Sequence, residues 1–262
     1  MPAHPYPLDP DLDQHLLDPG LAADLVAGAE LTRDDVVLDI GAGTGALTAA
    51  ILRQRPRAVI AVEPDPRCLA SLANLPCLDL RAGRIQDIDP ASLTAVTMVI
   101  ANPPFSALHH VIGLARRLPR LRAVELCVGR RWAEAATAGP ADPHYSAITL
   151  DVSARFSIAV ARRVPGSAFT PPIATPAAWL RLVPLARPDP LLLSLADAVR
   201  ARAGLRLKDW LRSPAANRQP QRDRMLKLRA DPFVRGLQQR RLSALTKAEL
   251  ARLVRHLQEG QC

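Results

Sequence analysis

The chain has 262 residues, 48% of them hydrophobic and 3% aromatic, and carries a formal charge of +9. That is enough for one sizeable core and a smaller second domain; no apolar run is long enough to cross a bilayer, and the opening MPAHPYPLDPDLDQ lacks the apolar stretch of a signal peptide. The four cysteines (Cys68, Cys77, Cys127 and Cys262) form no CxxC pair and complete no zinc set with the few histidines, so no metal and a reducing cytoplasm are expected; a monomer is expected as well.

In chain order, LAADLVAGAEL (21–31) reads as a helix. DVVLDI (35–40) is a strand running into GAGTG (41–45), and ALTAAILRQ (46–54) is the next helix. AVIAVEPD (58–65) is a second strand, PRCLASLAN (66–74) a short helix, and LDLRAGRI (78–85) a third strand. VTMVIANPPF (96–105) holds the fourth strand, ALHHVIGLARRL (107–118) a helix, RAVELCVG (122–129) the fifth strand and RRWAEAATAG (130–139) a helix. This alternation predicts a parallel sheet covered by helices, with ligands at the carboxyl ends of the strands. Beyond it, 146–164 offers a helix and a further strand, 165–176 a proline-rich loop, and AAWLRLVPL (177–185) an edge or hairpin strand. The tail reads as helices at 191–204, 206–213, 221–230 and 246–258, the last opened by a Thr246/Glu249 capping box.

Charge follows this division. Residues 181–262 hold 18 Arg and Lys against 7 Asp and Glu, a net of +11, which leaves 1–180 at −2. The break falls at the proline-rich RLVPLARPDP (181–190). Two domains are therefore expected: residues 1–184, an α/β domain with an N-terminal extension, and 185–262, small, all-helical and strongly basic. The field of the second suits a polyanion such as RNA.

The turn DIGAGTG sets Gly41, Gly43 and Gly45 directly after the first strand, where glycine lets backbone approach a ligand closely. A dinucleotide fingerprint wants G-x-G-x-x-G, but Ala46 stands where the third glycine belongs. Asp39 before the turn disfavours a phosphate. Glu63 closes the second strand and can take both hydroxyls of a ribose; Asp87 follows the third and can accept from an adenine amine. Acidic strand ends without a phosphate cradle suit S-adenosylmethionine, whose sulfonium and amino groups are cationic.

The motif Asn102-Pro103-Pro104-Phe105 ends the fourth strand beside that crevice. Two prolines stiffen the turn and supply C=O without N–H, so with the Asn102 amide it presents rigid acceptors to a planar amine. Phe105 can stack on a flipped base. Methylation of an exocyclic amine is the chemistry such a turn serves, mostly by positioning. The motif alone leaves glutamine amides and small amines open as substrates.

These residues carry a resemblance. The chain resembles the ribosomal RNA adenine N6-methyltransferases, which comprise the 16S dimethyltransferases and the erythromycin-resistance 23S methyltransferases. The likeness covers most of the chain and is looser in the last third. QHLLDP (14–19) is similar to the family's N-terminal element, with Leu16 in place of its usual phenylalanine, and SAFTPPIATPAAWLRLVP (167–184) to a family segment that places Phe169 near the target base or the cofactor entrance. The resemblance implies a Rossmann-like class I S-adenosylmethionine-dependent methyltransferase fold. It implies that Gln14, His15, Leu16, Asp39, Gly41, Gly43, Gly45, Glu63, Pro64, Asp87, Ile88 and Asn102 bind the cofactor. Asn102, Pro103 and Phe105 would be catalytic. Phe105, Phe169, Arg116, Arg117, Arg130 and Arg131 would meet the RNA. Pro103 departs from the family's aliphatic residue. The short basic tail favours the 23S resistance enzymes over the 16S enzymes of ribosome assembly; a small-molecule amine methyltransferase and a non-catalytic RNA-binding factor on this fold are the remaining alternatives.

Overall fold

The computed structural model describes residues 14–139, 141–201, 204–213 and 221–259. Its elements, in chain order, are β1 (Leu16–Leu17), α1 (Pro19–Ala27), β2 (Val36–Ile40), α2 (Ala46–Arg53), β3 (Ala58–Glu63), α3 (Pro66–Leu72), β4 (Leu78–Ala82), β5 (Met98–Ala101), α4 (Leu108–Ala115), β6 (Ala123–Gly129), α5 (Arg130–Thr137), α6 (Ala147–Ser153), β7 (Phe156–Val164), β8 (Phe169–Thr170), β9 (Ala177–Pro184), α7 (Pro190–Arg200), α8 (Leu207–Leu211), α9 (Arg222–Ala230), α10 (Pro232–Leu237) and α11 (Lys247–Glu259). The chain divides into two compact units: Met1–Ala133 with Ala159–Pro184, and Glu134–Ile158 with Leu185–Cys262, each taken over its described residues.

The first unit is built on a sheet ordered β4-β3-β2-β5-β6-β9-β7. β2 pairs in parallel with β3 on one side and β5 on the other, and β3–β4 and β5–β6 continue in parallel. The VVLDI run of β2 is buried along its whole length, as a central parallel strand requires. The chain winds outward from β2 through β3 to β4, then crosses back to β5, so the crevice between β2 and β5 is the topological switch point. Helix starts are specified locally. Asp18–Pro19 opens α1, with the carboxylate accepting from Leu21 N at 2.8 Å, and Asp65–Pro66 opens α3, accepting from Arg67 N at 2.9 Å. Leu38, Met98, Ile100 and Leu180 are fully buried, each contributing about 2 kcal/mol of apolar transfer.

Several boundaries differ from the sequence reading. The helix expected over 21–31 starts earlier, at Pro19, and stops at Gly28 because Glu30 turns left-handed, with φ 54°. The third strand ends at Ala82, where Gly83 with φ 139° turns the chain into a 3-10 turn at Ile85–Asp87. Of the two placements expected for β9, an edge or a hairpin, the edge does not hold: the strand lies inside the sheet, beside β7, the strand that precedes it there. It pairs antiparallel with β6, and β7 takes the edge outside it.

The second unit packs helices around Trp210, whose indole N–H donates to Ser194 Oγ at 3.0 Å, with Leu195, Leu207, Met225, Leu253 and Leu257 beside it. Tyr145, Leu150 and Ala154 belong to the same core. The segment 134–158, which a single cut at 184/185 assigns to the first domain, therefore groups with the helices. Helix α10 was not among the expected helices, although Asp231–Pro232 repeats the start signal of α1 and α3.

Two carboxyls lie inside the sheet. Burial pushes Asp39 up to about 7, against a 2.6 Å hydrogen bond from the Thr48 hydroxyl. Burial likewise raises Glu125 to about 7, although Arg181 stands opposite it on β9 at 3.3 Å. Both keep a proton in the fold that the unfolded chain has released above about pH 4. Their contribution is therefore fully present below that pH and is lost as pH rises toward 7. Asp35 works in the opposite sense: burial alone would raise it, but Arg122, Thr32 and Thr97 hold it near 2, so its contribution is lost only in strong acid. Calorimetry is expected to show a higher melting temperature at pH 5.5 than at pH 8, and Glu125→Gln is expected to flatten that slope. An unchanged slope in the variant would show that Glu125 is ionised in the fold.

Candidate active site

A cavity of about 330 Å³ opens at the carboxyl ends of β2, β3 and β5, within the first unit. Its floor is the Gly41–Thr44 part of the glycine turn, in which Gly41, Gly43 and, just beyond, Gly45 all have positive φ (71°, 55° and 94°). Glu63 is nearly buried and ties this turn to α3: Oε2 accepts from Gly43 N at 2.7 Å and Oε1 from Asp65 N at 2.9 Å. A carboxylate offers about four lone-pair sites, so Glu63 retains acceptor capacity toward the cavity it lines. Burial raises its pKa despite those two hydrogen bonds.

The N-terminal segment lies across this floor. Gln14 Nε2 donates to Asp65 at 2.8 Å, Leu16 and Leu17 pair with Thr170 and Phe169, and a Cβ on Gly43 would stand 3.0 Å from Leu16 Cδ2. Asp65 accepts from both Gln14 and Arg67, and the Arg67 guanidinium in particular holds its carboxyl well below the usual range. At the far side, Asn102 Nδ2 donates to the His15 carbonyl at 2.9 Å. This bond fixes the rotation of the amide and leaves Oδ1 as its acceptor. The Pro104 carbonyl accepts from Ala107 N at 2.9 Å, so of the two prolines it is Pro103 whose carbonyl remains for a ligand among the described residues.

The structure thus brings Gln14, His15, Leu16, Gly41, Gly43, Glu63, Pro64, Asn102, Pro103 and Phe169 to one cavity. It places Asp39, Gly45, Asp87, Ile88 and the four arginines elsewhere. Asp39 lies beneath the turn, wholly buried, with Oδ1 lacking a hydrogen-bond partner among the described residues. Gly45 starts α2 and packs toward Leu72. Asp87 is exposed and turned back to Arg84 N at 3.3 Å, capping its own 3-10 turn, and Ile88 follows it away from the cavity. Arg116 and Arg117 end α4, and Arg130 and Arg131 open α5; none of the four lines the cavity. The Phe105 side chain lies outside the described residues. The sequence reading missed Arg84, Ile85, Gln86, His110 and Ile173, which do line it.

Among the described residues Glu63 and Arg84 are the only formally charged ones lining the cavity, and no Lys or Arg of theirs stands at the glycine turn. A backbone cradle with a buried carboxylate beside it and no phosphate partner among the described residues fits S-adenosylmethionine and fits a pyrophosphate poorly. Among the described residues no group of three or more His, Cys, Asp or Glu could hold a metal ion, and no helix is long and apolar enough to cross a membrane.

Sheet order, switch-point crevice and glycine turn are those of the Rossmann-like class I methyltransferases. The family model described as ribosomal RNA adenine dimethylase matches residues 11–192, and the chain belongs to that family. It is 31% identical over 194 residues to ribosomal RNA small subunit methyltransferase A of Sinorhizobium fredii, covering 70% of this chain and 66% of that protein. The chain spans just under two thirds of the length of such curated relatives. Among solved structures, a dimethyladenosine transferase from Plasmodium falciparum superposes with a TM-score of 0.62 at 20% identity, over 94% of this chain and 98% of that one. The 23S rRNA methyltransferase ErmE does so with a TM-score of 0.58 at 20% identity, over 94% and 100%. Both show the shared fold.

Proposed function

We propose that this protein transfers a methyl group from S-adenosylmethionine to N6 of an adenine in ribosomal RNA, and that its substrate is the small-subunit rRNA. The observation that carries the reading is the shared cavity: the Asn102 amide, its rotation fixed by the His15 carbonyl, faces the same space as the Gly41–Thr44 turn and Glu63. The relatives that match over two thirds of the chain are mostly named small-subunit methyltransferases, which favours 16S over the 23S expectation drawn from the tail. The basic second unit supplies the field that a polyanion needs.

When bound, the cofactor supplies an electrophilic methyl on its sulfonium. Glu63 holds the ribose hydroxyls, and the glycine turn admits the cofactor's backbone-contacting portion. Asn102 Oδ1 and the Pro103 carbonyl accept from the two N–H groups of the target amine and hold its nitrogen toward the methyl. Phe169, buried in the cavity wall and paired through β8 to β1, gives the target ring an apolar surface. The proton is released after transfer, because the methylated ammonium is a strong acid. The test is incubation with labelled S-adenosylmethionine and 16S or 23S rRNA in separate reactions, followed by nucleoside digestion and mass spectrometry. N6-methylated adenosine in 16S is the expected result. Label in 23S alone transfers the substrate to the large subunit, and no label in either RNA overturns the reading.

A further inference from the structure

Among the described residues Glu63 is the one carboxylate that lines the cavity, and it is tied to the Gly43 and Asp65 amides. The residue expected to accept from the cofactor's adenine amine, Asp87, is exposed and caps Arg84 N instead. The 3-10 turn contributes Arg84, Ile85 and Gln86 to the cavity lining, and Ala107 and His110 join it from the start of α4, which packs on the turn. Arg84 offers donors only. The Gln86 side chain is exposed, whereas His110 is half-buried and braced by the His109 ring, 3.8 Å between centroids at 41°. Burial, then the neighbouring His109, lowers the His110 pKa, which favours the neutral imidazole with its one acceptor nitrogen.

We infer that His110 is the residue that recognises the cofactor's adenine, its ring nitrogen accepting a hydrogen bond from the exocyclic amine. This rests on the cofactor reading above. It makes the adenine contact a neutral imidazole on α4 rather than a carboxylate on the β4 loop.

The probe is a pair of cofactor products that differ only in that amine: S-adenosylhomocysteine and its 6-desamino analogue, with purine in place of adenine. Their dissociation constants are measured by calorimetry on the full chain. The unsubstituted protein is expected to prefer S-adenosylhomocysteine by roughly three- to tenfold, the range of one net hydrogen bond. His110→Leu is expected to bring the two within twofold while leaving the analogue's constant unchanged, which also shows that the cavity is intact. His110→Gln, which restores an acceptor, keeps part of the preference, and Gln86→Leu keeps all of it. Full preference in His110→Leu, or loss of it in Gln86→Leu, overturns the inference while the cofactor reading stands. Failure of the unsubstituted protein to bind either compound overturns both.

Discussion

Asn102→Ala is expected to lower the rate constant for methyl transfer by about 10²–10³-fold, the scale of removing one preorganised hydrogen-bonding group from a reacting centre. Two separate bonds make the effect large. Nδ2 donates to the His15 carbonyl, and that bond alone decides which amide atom faces the target. Oδ1 is then the acceptor that holds the amine. Alanine removes both, and water cannot replace a rigid acceptor without the freedom that the turn exists to remove. Asn102→Asp retains an acceptor of the same size but sets an oxygen against the His15 carbonyl with no proton between them, so it is expected to be impaired as well. Affinity for S-adenosylhomocysteine should change only a few-fold, because Gln14–Asp65 and the β1–β8 pairing still hold the N-terminal segment in place. Single-turnover rates and calorimetric affinities measured on the same preparations separate these terms. Transfer within fivefold of the unsubstituted rate would falsify the acceptor role.

What the sequence disclosed about this site follows from the range of the interactions involved. VVLDI, AVIAVE and MVIA are buried runs whose length and composition announce strands, and glycines that must take positive φ announce the turn after β2. Asn102-Pro103-Pro104 is legible because proline chemistry is local. Asp87 misled for an equally local reason: a carboxylate two residues into a 3-10 turn is drawn back to the turn's first N–H, and only the backbone course after Gly83 reveals it. His110 carried no signal, since its position depends on α4 packing against the turn at 85–87. β1 and β8 are two residues each, too short for any periodicity, yet they fix the N-terminal segment over the cavity. The placement of β9 inside the sheet, and of 134–158 with the helices, rests on long-range pairing and shared cores, which no window of sequence contains.

The second large effect is expected at a glycine whose backbone angle is ordinary. A Cβ on Gly166 would stand 2.1 Å from the carbonyl oxygen of Ile173, which is backbone and cannot swing aside. The two residues are already tied, with Ile173 N donating to Gly166 O at 3.2 Å, so the loop between them is closed on itself. Gly166→Ala must push the strands of this loop apart by about 1 Å, at a cost of roughly 1–3 kcal/mol by analogy with overpacked cores. The displaced segment carries Phe169 and Ile173 into the cavity wall, offers the Pro171 carbonyl to His15 at 3.1 Å, and receives Asp18 N at the Ala168 carbonyl at 2.8 Å. His15 in turn holds Asn102. One methyl group therefore reaches the reacting amide through three consecutive contacts, none of which involves a titratable carboxylate or the cofactor turn. The expected outcome is a melting temperature lower by about 3–8 °C, with methyl transfer reduced about ten- to a hundredfold and the Gly41–Gly45 turn undisturbed. Gly166→Ala combined with Asn102→Ala should be little worse in transfer than Asn102→Ala alone, because both act through the same amide. Independent, multiplying losses would place the effect of Gly166 on the target ring through Phe169 instead.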